Sequence, residues 1–252
     1  MQIVSCGRTD IGKRRKSNQD AFFCDDELGF YIVADGMGGH AGGDVAAQEA
    51  VEAVRDMVSR GKDVIEHFRM SPVTKETSGA ICRLMESAVQ SATYMVYGMA
   101  AQLPGYHGMG TTVSALLLVG ACGVTAQVGD TRIYCLRDGE VVQLTEDHTL
   151  LNWQIREGVI SPEEAQHSPH RNIITRAVGN KDYVEVDTQV VSVTPGDRFL
   201  ICSDGLHGYL RRGEIPDILG RVPDVACEEL IRLANDRGGK DNVTAVVVQV
   251  LG

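Results

Sequence analysis

The stretch YIVADG, Tyr31 to Gly36, ends an apolar, strand-like run in an aspartate followed at once by glycine. Three other stretches far along the chain end in aspartate in a similar way. They are TAQVGD at Asp130, FLICSDG at Asp204, and GGKDN at Asp241, the last leading into VTAVVVQV. Nothing local requires the repetition. Carboxylates at strand ends are how a β scaffold offers hard oxygen ligands to a divalent cation, so the pattern points to a site for two or more Mg²⁺ or Mn²⁺ ions. Asp138-Gly139 is a control: it lies between RIYCLR and VVQLT and needs only a type I′ hairpin turn. A single Asp-Gly is therefore weak evidence for metal.

Outward from Asp35, FYIVA reads as a short buried strand after a polar, basic opening (GKRRKSNQD). From Asp44 the positions Ala47, Ala50, Val51, Val54, Met57 and Val58 keep helical spacing, and Gly61 suits a C-terminal cap. Ile81, Leu84, Met85, Ala88, Met95 and Met99 predict a second long helix ending before Pro104. Strands follow in TVSALLLV, GVTAQV, RIYCLR and VVQLT. Thr149 to Glu157 reads as helical, and Ser161-Pro162-Glu163-Glu164 as a helix start with a capping box. VEVDTQVVSV and RFLICS predict further strands, Asp224 to about Asn235 a helix, and VTAVVVQV the closing strand. Long strand blocks with helices grouped between them predict an α+β fold, its helices packed outside a pair of sheets.

The 252 residues fit one large domain, and a 43% hydrophobic content supplies a core. The net charge of −10 argues against nucleic acid or an anionic membrane as the main partner. Seven cysteines with no C-x-x-C, and no signal-like N-terminus, predict a soluble protein of the reducing cytoplasm. The uncharged stretch from Gly108 to Gly129 is interrupted by glycines, threonines and Gln127, which suits two strands and a turn better than a membrane span.

GMGGHA (Gly36 to Ala41) matches the dinucleotide pattern G-x-G-x-x-A. Its context fails, because the acidic residue twenty positions on, Asp56, lies inside a helical pattern and not at the end of a second strand. No P-loop, G-x-S-x-G, H-E-x-x-H or cysteine-phosphatase signature is present, so covalent catalysis by Ser or Cys has no support.

The remaining motifs run in order: RKSNQD (Arg15 to Asp20), DGMGGH (Asp35 to His40), GMGTT (Gly108 to Thr112), GDTR (Gly129 to Arg132), LTEDHT (Leu144 to Thr149), NIITRAVG (Asn172 to Gly179), SDGL (Ser203 to Leu206) and GGKDNVTAVVV (Gly238 to Val248). Together they resemble the metal-dependent Ser/Thr protein phosphatases of the 2C type, in their compact bacterial form, over nearly the whole chain. The resemblance implies a single catalytic domain over 1–252 with a four-layer α/β/β/α sandwich, two antiparallel sheets face to face and flanked by helices. It also implies a flap at about 152–180, carrying Arg156, His167, His170, Arg171 and Arg176.

Matched residue by residue, Asp35 would bridge two metals with the Gly36 carbonyl on one of them. Asp204 and Asp241 would complete the first site, and Asp20 would stand in the inner or water-mediated shell. Asp130, with Asp204, resembles the ligand of a third, weaker metal. Arg15 matches the phosphate-binding arginine. The implied reaction is hydrolysis of phosphoserine and phosphothreonine by a metal-bridging water, on phosphorylated proteins, opposing bacterial Ser/Thr kinases, by a monomer.

Two departures stand out. Gln19 replaces a common Glu, which predicts a weaker second metal. Met37 replaces the histidine proposed as general acid in eukaryotic relatives, leaving His40 as the nearest candidate; His148 reads as structural. Two alternatives from other classes are an inactive phosphatase-fold regulator that binds a signalling partner, and a dinucleotide-binding enzyme.

Overall fold

The computed structural model describes residues 2–38, 42–165 and 173–252. In chain order, β1 (Ile3–Asp10), β2 (Asp20–Asp25) and β3 (Phe30–Met37) lead into three helices, α1 (Gly43–Arg60), α2 (Lys62–Met70) and α3 (Lys75–Gln102). Five strands follow: β4 (Gly110–Thr111), β5 (Val113–Val119), β6 (Cys122–Val128), β7 (Arg132–Arg137) and β8 (Glu140–Gln143). Short helices α4 (Leu150–Arg156) and α5 (Pro162–Ala165) precede β9 (Asp187–Ser192) and β10 (Arg198–Cys202). The chain ends with α6 (Asp204–His207), α7 (Ile215–Leu219), α8 (Pro223–Asp236) and β11 (Val243–Val250).

The strands form two antiparallel sheets, β1-β11-β10-β7-β8 and β2-β3-β5-β6-β9, with β4 paired to the end of β3. Burial on both faces explains why these strands read as continuous apolar runs. In β3, Phe30, Ile32 and Ala34 face the core shared with α1 and α3, whereas Tyr31 and Val33 face the space between the sheets. In β11, Val243, Ala245 and Val247 pack with α7 and α8, and Val246, Val248 and Val250 face the opposite sheet. The four layers expected from the motifs are therefore present: α1–α3, the six-stranded sheet, the five-stranded sheet, then α7 and α8.

Several local readings hold. Asp138 (φ 51) and Gly139 (φ 82) both take the positive φ that a type I′ turn demands, joining β7 to β8. Thr149 caps α4, accepting the Asn152 N–H at 3.1 Å. Ser161 and Glu164 form the expected capping box, with reciprocal bonds of 3.2 and 2.8 Å.

Gly61 departs from the left-handed cap. Its φ is −78, and α2 begins one residue later. The glycine is needed because a Cβ there would press on Leu84 of α3 at 2.6 Å. α2 went unread because only Ile65 and Phe68 of its nine residues are buried. β3 is flanked by antiparallel β2 and β5, so GMGGHA follows no βαβ unit and the dinucleotide reading falls.

Candidate metal centre

Asp35 sits near the end of β3, held by its own backbone: its N–H donates to Thr112 Oγ1 (2.9 Å), and its carbonyl accepts from Thr112 N–H (2.9 Å) and Thr111 Oγ1 (2.9 Å). Directly across the ladder, in register, lies Asp20, the first residue of β2. Like charges opposite one another in an antiparallel pair are destabilising unless something positive stands between them. Asp204 opens α6 immediately after β10, close enough to Asp35 for the two carboxyls to act on each other. Asp241 lies in the turn before β11, where its Oδ1 accepts from the Asn242 N–H at 2.8 Å. Asp130 occupies the turn between β6 and β7 and is 7% exposed.

The electrostatics follow from this crowding. Burial, then the neighbouring Asp20, Asp204, Asp130 and Asp241, push the Asp35 carboxyl well above the usual carboxylate range. Burial pushes Asp20 up to about 7, against the hydroxyls that hold its ionised form and with the Asp204 and Asp241 charges adding to the rise. Burial and Asp204 take Asp130 to about 7 as well. Asp204 is raised by burial and by Asp241.

Asp20 is the most informative member. Its Oδ2 accepts from Ser203 Oγ (2.8 Å) and Thr244 Oγ1 (2.6 Å), while its Oδ1 is buried with no hydrogen-bond partner among the described residues. An enclosed carboxylate oxygen with no donor is rare in native folds and calls for an explanation. Among the described residues, no three acidic, histidine or cysteine side chains are drawn together into a finished ion cage. The donor set nevertheless fits Mg²⁺ or Mn²⁺: it is all oxygen, anionic, strained by mutual repulsion, and offers one unsatisfied lone-pair donor.

Gly36 is a glycine for a packing reason. A Cβ there would collide with the Gly43 carbonyl oxygen and come within 2.6 Å of the Gln19 oxygen. That close approach keeps the backbone beside Asp35 bare. Gln19, whose carbonyl accepts the Gly36 N–H at 3.0 Å, turns its amide toward Gly43 at the start of α1.

Arg15 also reaches this cluster. Its Nη2 bonds Asp241 Oδ2 at 2.6 Å, and its charge acts on Asp35 and Asp204 too. The guanidinium expected to hold phosphate thus lies at the aspartate cluster and here offsets a carboxylate. His40, the candidate general acid, lies outside the described residues, as do His167, His170 and Arg171 of the flap. The two described arginines of the expected flap are in ion pairs: Arg156 with Glu146 and Glu157, Arg176 with Glu185 and Asp187.

Three residues escaped the sequence reading. Asn242, 3% exposed, holds the loop that carries Arg15: its Oδ1 accepts the Gln19 N–H (2.8 Å), and its Nδ2 donates to the Ile11 and Ser17 carbonyls (3.0 Å each). Its position after Asp241 was the only available signal. His207 donates to the Asp130 carbonyl across 2.9 Å, and burial drops its pKa to about 4, so the ring stays neutral. Arg132 forms a two-pronged pair with Asp147, with bonds of 2.9 and 2.6 Å. A cleft of about 510 Å³ leads away from Asp130, Asp204 and Asp241 between Leu151, Ile155 and Tyr209.

The family model described as protein phosphatase 2C matches residues 6–243. A serine/threonine phosphatase stp of Listeria innocua is 36% identical over 96% of this chain and 94% of its own length. The Mycobacterium tuberculosis serine/threonine phosphatase PstP/Ppp superposes with a TM-score of 0.87 at 32% identity, covering both chains completely. A PstP catalytic domain in complex with two manganese ions superposes at 0.83, also at 32% identity, over 100% of this chain and 99% of that one.

Proposed function

The chain belongs to the protein phosphatase 2C family and is a metal-dependent serine/threonine phosphatase acting on phosphorylated proteins, and from that premise we propose how its residues divide the work. Asp35, Asp204 and Asp241, with the Gly36 carbonyl, hold the core pair of Mn²⁺ or Mg²⁺ ions. Asp20 stands behind them in the inner or water-mediated shell. Asp130, with Asp204, holds a third, weaker ion. Such ions lower the pKa of a coordinated water and offset charge on the phosphoryl oxygens.

The observation that carries this reading is the Asp20–Asp35 pair. Two acids face each other in one ladder, one of them with a buried oxygen that nothing among the described residues satisfies. A fold evolved only to bind a partner has no reason to keep that repulsion, and the inactive alternative is disfavoured accordingly.

Arg15 binds the substrate phosphate. Its planar fork can hold two phosphoryl oxygens in place of the Asp241 carboxylate that it holds here. Asn242 keeps the Arg15 loop in place. The cleft past Leu151 and Tyr209 gives the peptide flanking the phosphorylated residue a mixed apolar and polar floor. Gln19 supplies no charge, so the second ion binds more weakly than it would beside a glutamate. We further assign the chain to the cytoplasm, as a monomer opposing a Ser/Thr kinase. Seven unpaired cysteines favour a reducing compartment, and among the described residues no helix is long and apolar enough to cross a membrane.

Replacing Asp35 or Asp204 by Asn tests the assignment. Mn²⁺-dependent hydrolysis of p-nitrophenyl phosphate is lost in both variants while the folded circular-dichroism spectrum is kept. Full residual activity in either would refute it.

A further inference from the structure

The sequence marks His148 as structural, and its bonds give it a more specific task. It lies in the segment between β8 and α4 and is 7% exposed. Its Nδ1 accepts the Gly129 N–H at 3.1 Å, and its own backbone N–H donates to the Gly129 carbonyl at 2.9 Å. One residue therefore satisfies both polar groups of the glycine that precedes Asp130. Because Nδ1 accepts, the ring proton resides on Nε2, which donates it to Asp187 Oδ2 at 3.0 Å. Arg176 Nη1 lies 3.1 Å from Nε2 and donates to the other Asp187 oxygen at 2.7 Å. The imidazole is thus gripped from one side by a carboxylate–guanidinium pair and grips the turn with the other.

Gly129 has little freedom to compensate. Its φ is +99, and a Cβ would come within 2.5 Å of Thr112 Cγ2, on the same threonine that receives the Asp35 N–H. On the far side of Asp130, His207 holds the carbonyl. The peptide groups on both sides of the Asp130 Cα are pinned, which fixes the direction in which its carboxylate projects.

We propose that His148 is a positioning residue: through Nδ1 it sets the Gly129–Asp130 turn so that the Asp130 carboxylate meets a divalent cation. The proposal rests on Asp130 being a ligand. It goes beyond that reading by assigning the ligand's placement to one atom of a residue that touches neither metal nor substrate.

The two ring nitrogens can be tested separately. In His148→Asn the amide oxygen stands near the former Nδ1 and accepts from Gly129, but the side chain stops short of Asp187. In His148→Gln the amide reaches Asp187 and leaves Gly129 without its acceptor. A role in packing alone makes both variants equally faulty, whereas positioning through Nδ1 ranks them.

The full chain is compared as wild type, H148N, H148Q and D130N. Hydrogen exchange of the Gly129 amide and Mn²⁺ calorimetry are the readouts, and melting temperature checks that each variant folds. Expected are Gly129 exchange about tenfold faster in H148Q and within about twofold of wild type in H148N, with the weakest Mn²⁺ site about tenfold weaker in H148Q alone; tenfold corresponds to one hydrogen bond of about 1.4 kcal/mol. Equal effects in the two variants, or a larger effect in H148N, overturn the proposal. If D130N leaves the Mn²⁺ stoichiometry unchanged, Asp130 is not a ligand and that premise falls by itself, while the order of Gly129 exchange still decides whether His148 holds the turn.

Discussion

Replacing Asp20 by Asn should stabilise the cation-free protein, although Asp20 is one of the proposed cation-site residues. The folded Asp20 carboxyl sits at about 7 instead of 3.8, because burial and the Asp204 and Asp241 charges oppose its ionisation. A folded pKa above the unfolded value means that the folded state binds the proton more tightly. The resulting stability is fully present below about pH 4 and is lost as pH rises through about 7. At pH 8 the ionised carboxyl then costs about 4 kcal/mol at about 1.4 kcal/mol per pH unit, and water entering a cation-free site reduces this to about 2–4 kcal/mol. Asn keeps an oxygen for Ser203 and Thr244, carries no charge, and turns an amide toward the neighbouring carboxylates in place of the unsatisfied Oδ1. For a chain of this length the gain corresponds to a rise in Tm of about 5–15 °C. Thermal unfolding in EDTA at pH 8 and pH 5 measures it. The variant melts higher at pH 8, the difference shrinks at pH 5, and added Mn²⁺ stabilises wild type more than the variant. A variant less stable than wild type at pH 8 without cations, or a difference independent of pH, would refute the reasoning.

Arg15→Ala should raise KM for a phosphopeptide by about 10–100-fold, the worth of a charge-assisted phosphate contact, while kcat changes by a few fold. An unchanged KM in steady-state assays would move the phosphate contact elsewhere. Asn242→Ala removes three bonds that tie the buried Asn242 side chain to the backbone of the Arg15 loop. It should cost about 2–4 kcal/mol in urea unfolding and raise KM in the same direction as the arginine variant. A stable Asn242→Ala protein with normal KM would show that the loop is held by other contacts.

The sequence made the sandwich and most of the clustered aspartates legible for one reason. β3, β5, β6, β10 and β11 are buried on both faces and stand out as apolar runs, so a charged residue at a strand end is conspicuous. That exposed Asp35, Asp130, Asp204 and Asp241 directly. Asp20 was reached only through the RKSNQD motif, because β2 is half-buried and DAFFCD lacks a clean period. β1 was hidden for the same reason, being a half-buried edge strand paired among the described residues to β11 alone. α6 and α7 are too short for a helical period to register.

The roles of Asn242, Ser203, Thr244 and Thr112 were hidden in a different way. Each acts through one hydrogen bond or a few to a residue far away in the chain, and no local pattern of polarity encodes such a partner. The Arg15–Asp241 pair, 226 residues apart, belongs to the same class.

The most direct test of the central claim is anomalous diffraction at the manganese edge from crystals grown in MnCl₂. Two strong peaks should lie between Asp35, Asp204 and Asp241, with Asp35 oxygens about 2.0–2.3 Å from the ions, and the Asp20 Oδ1 turned toward them or toward a water they hold. Peaks elsewhere on the surface, with the Asp20–Asp35 cross-strand pair left bare, would contradict the account.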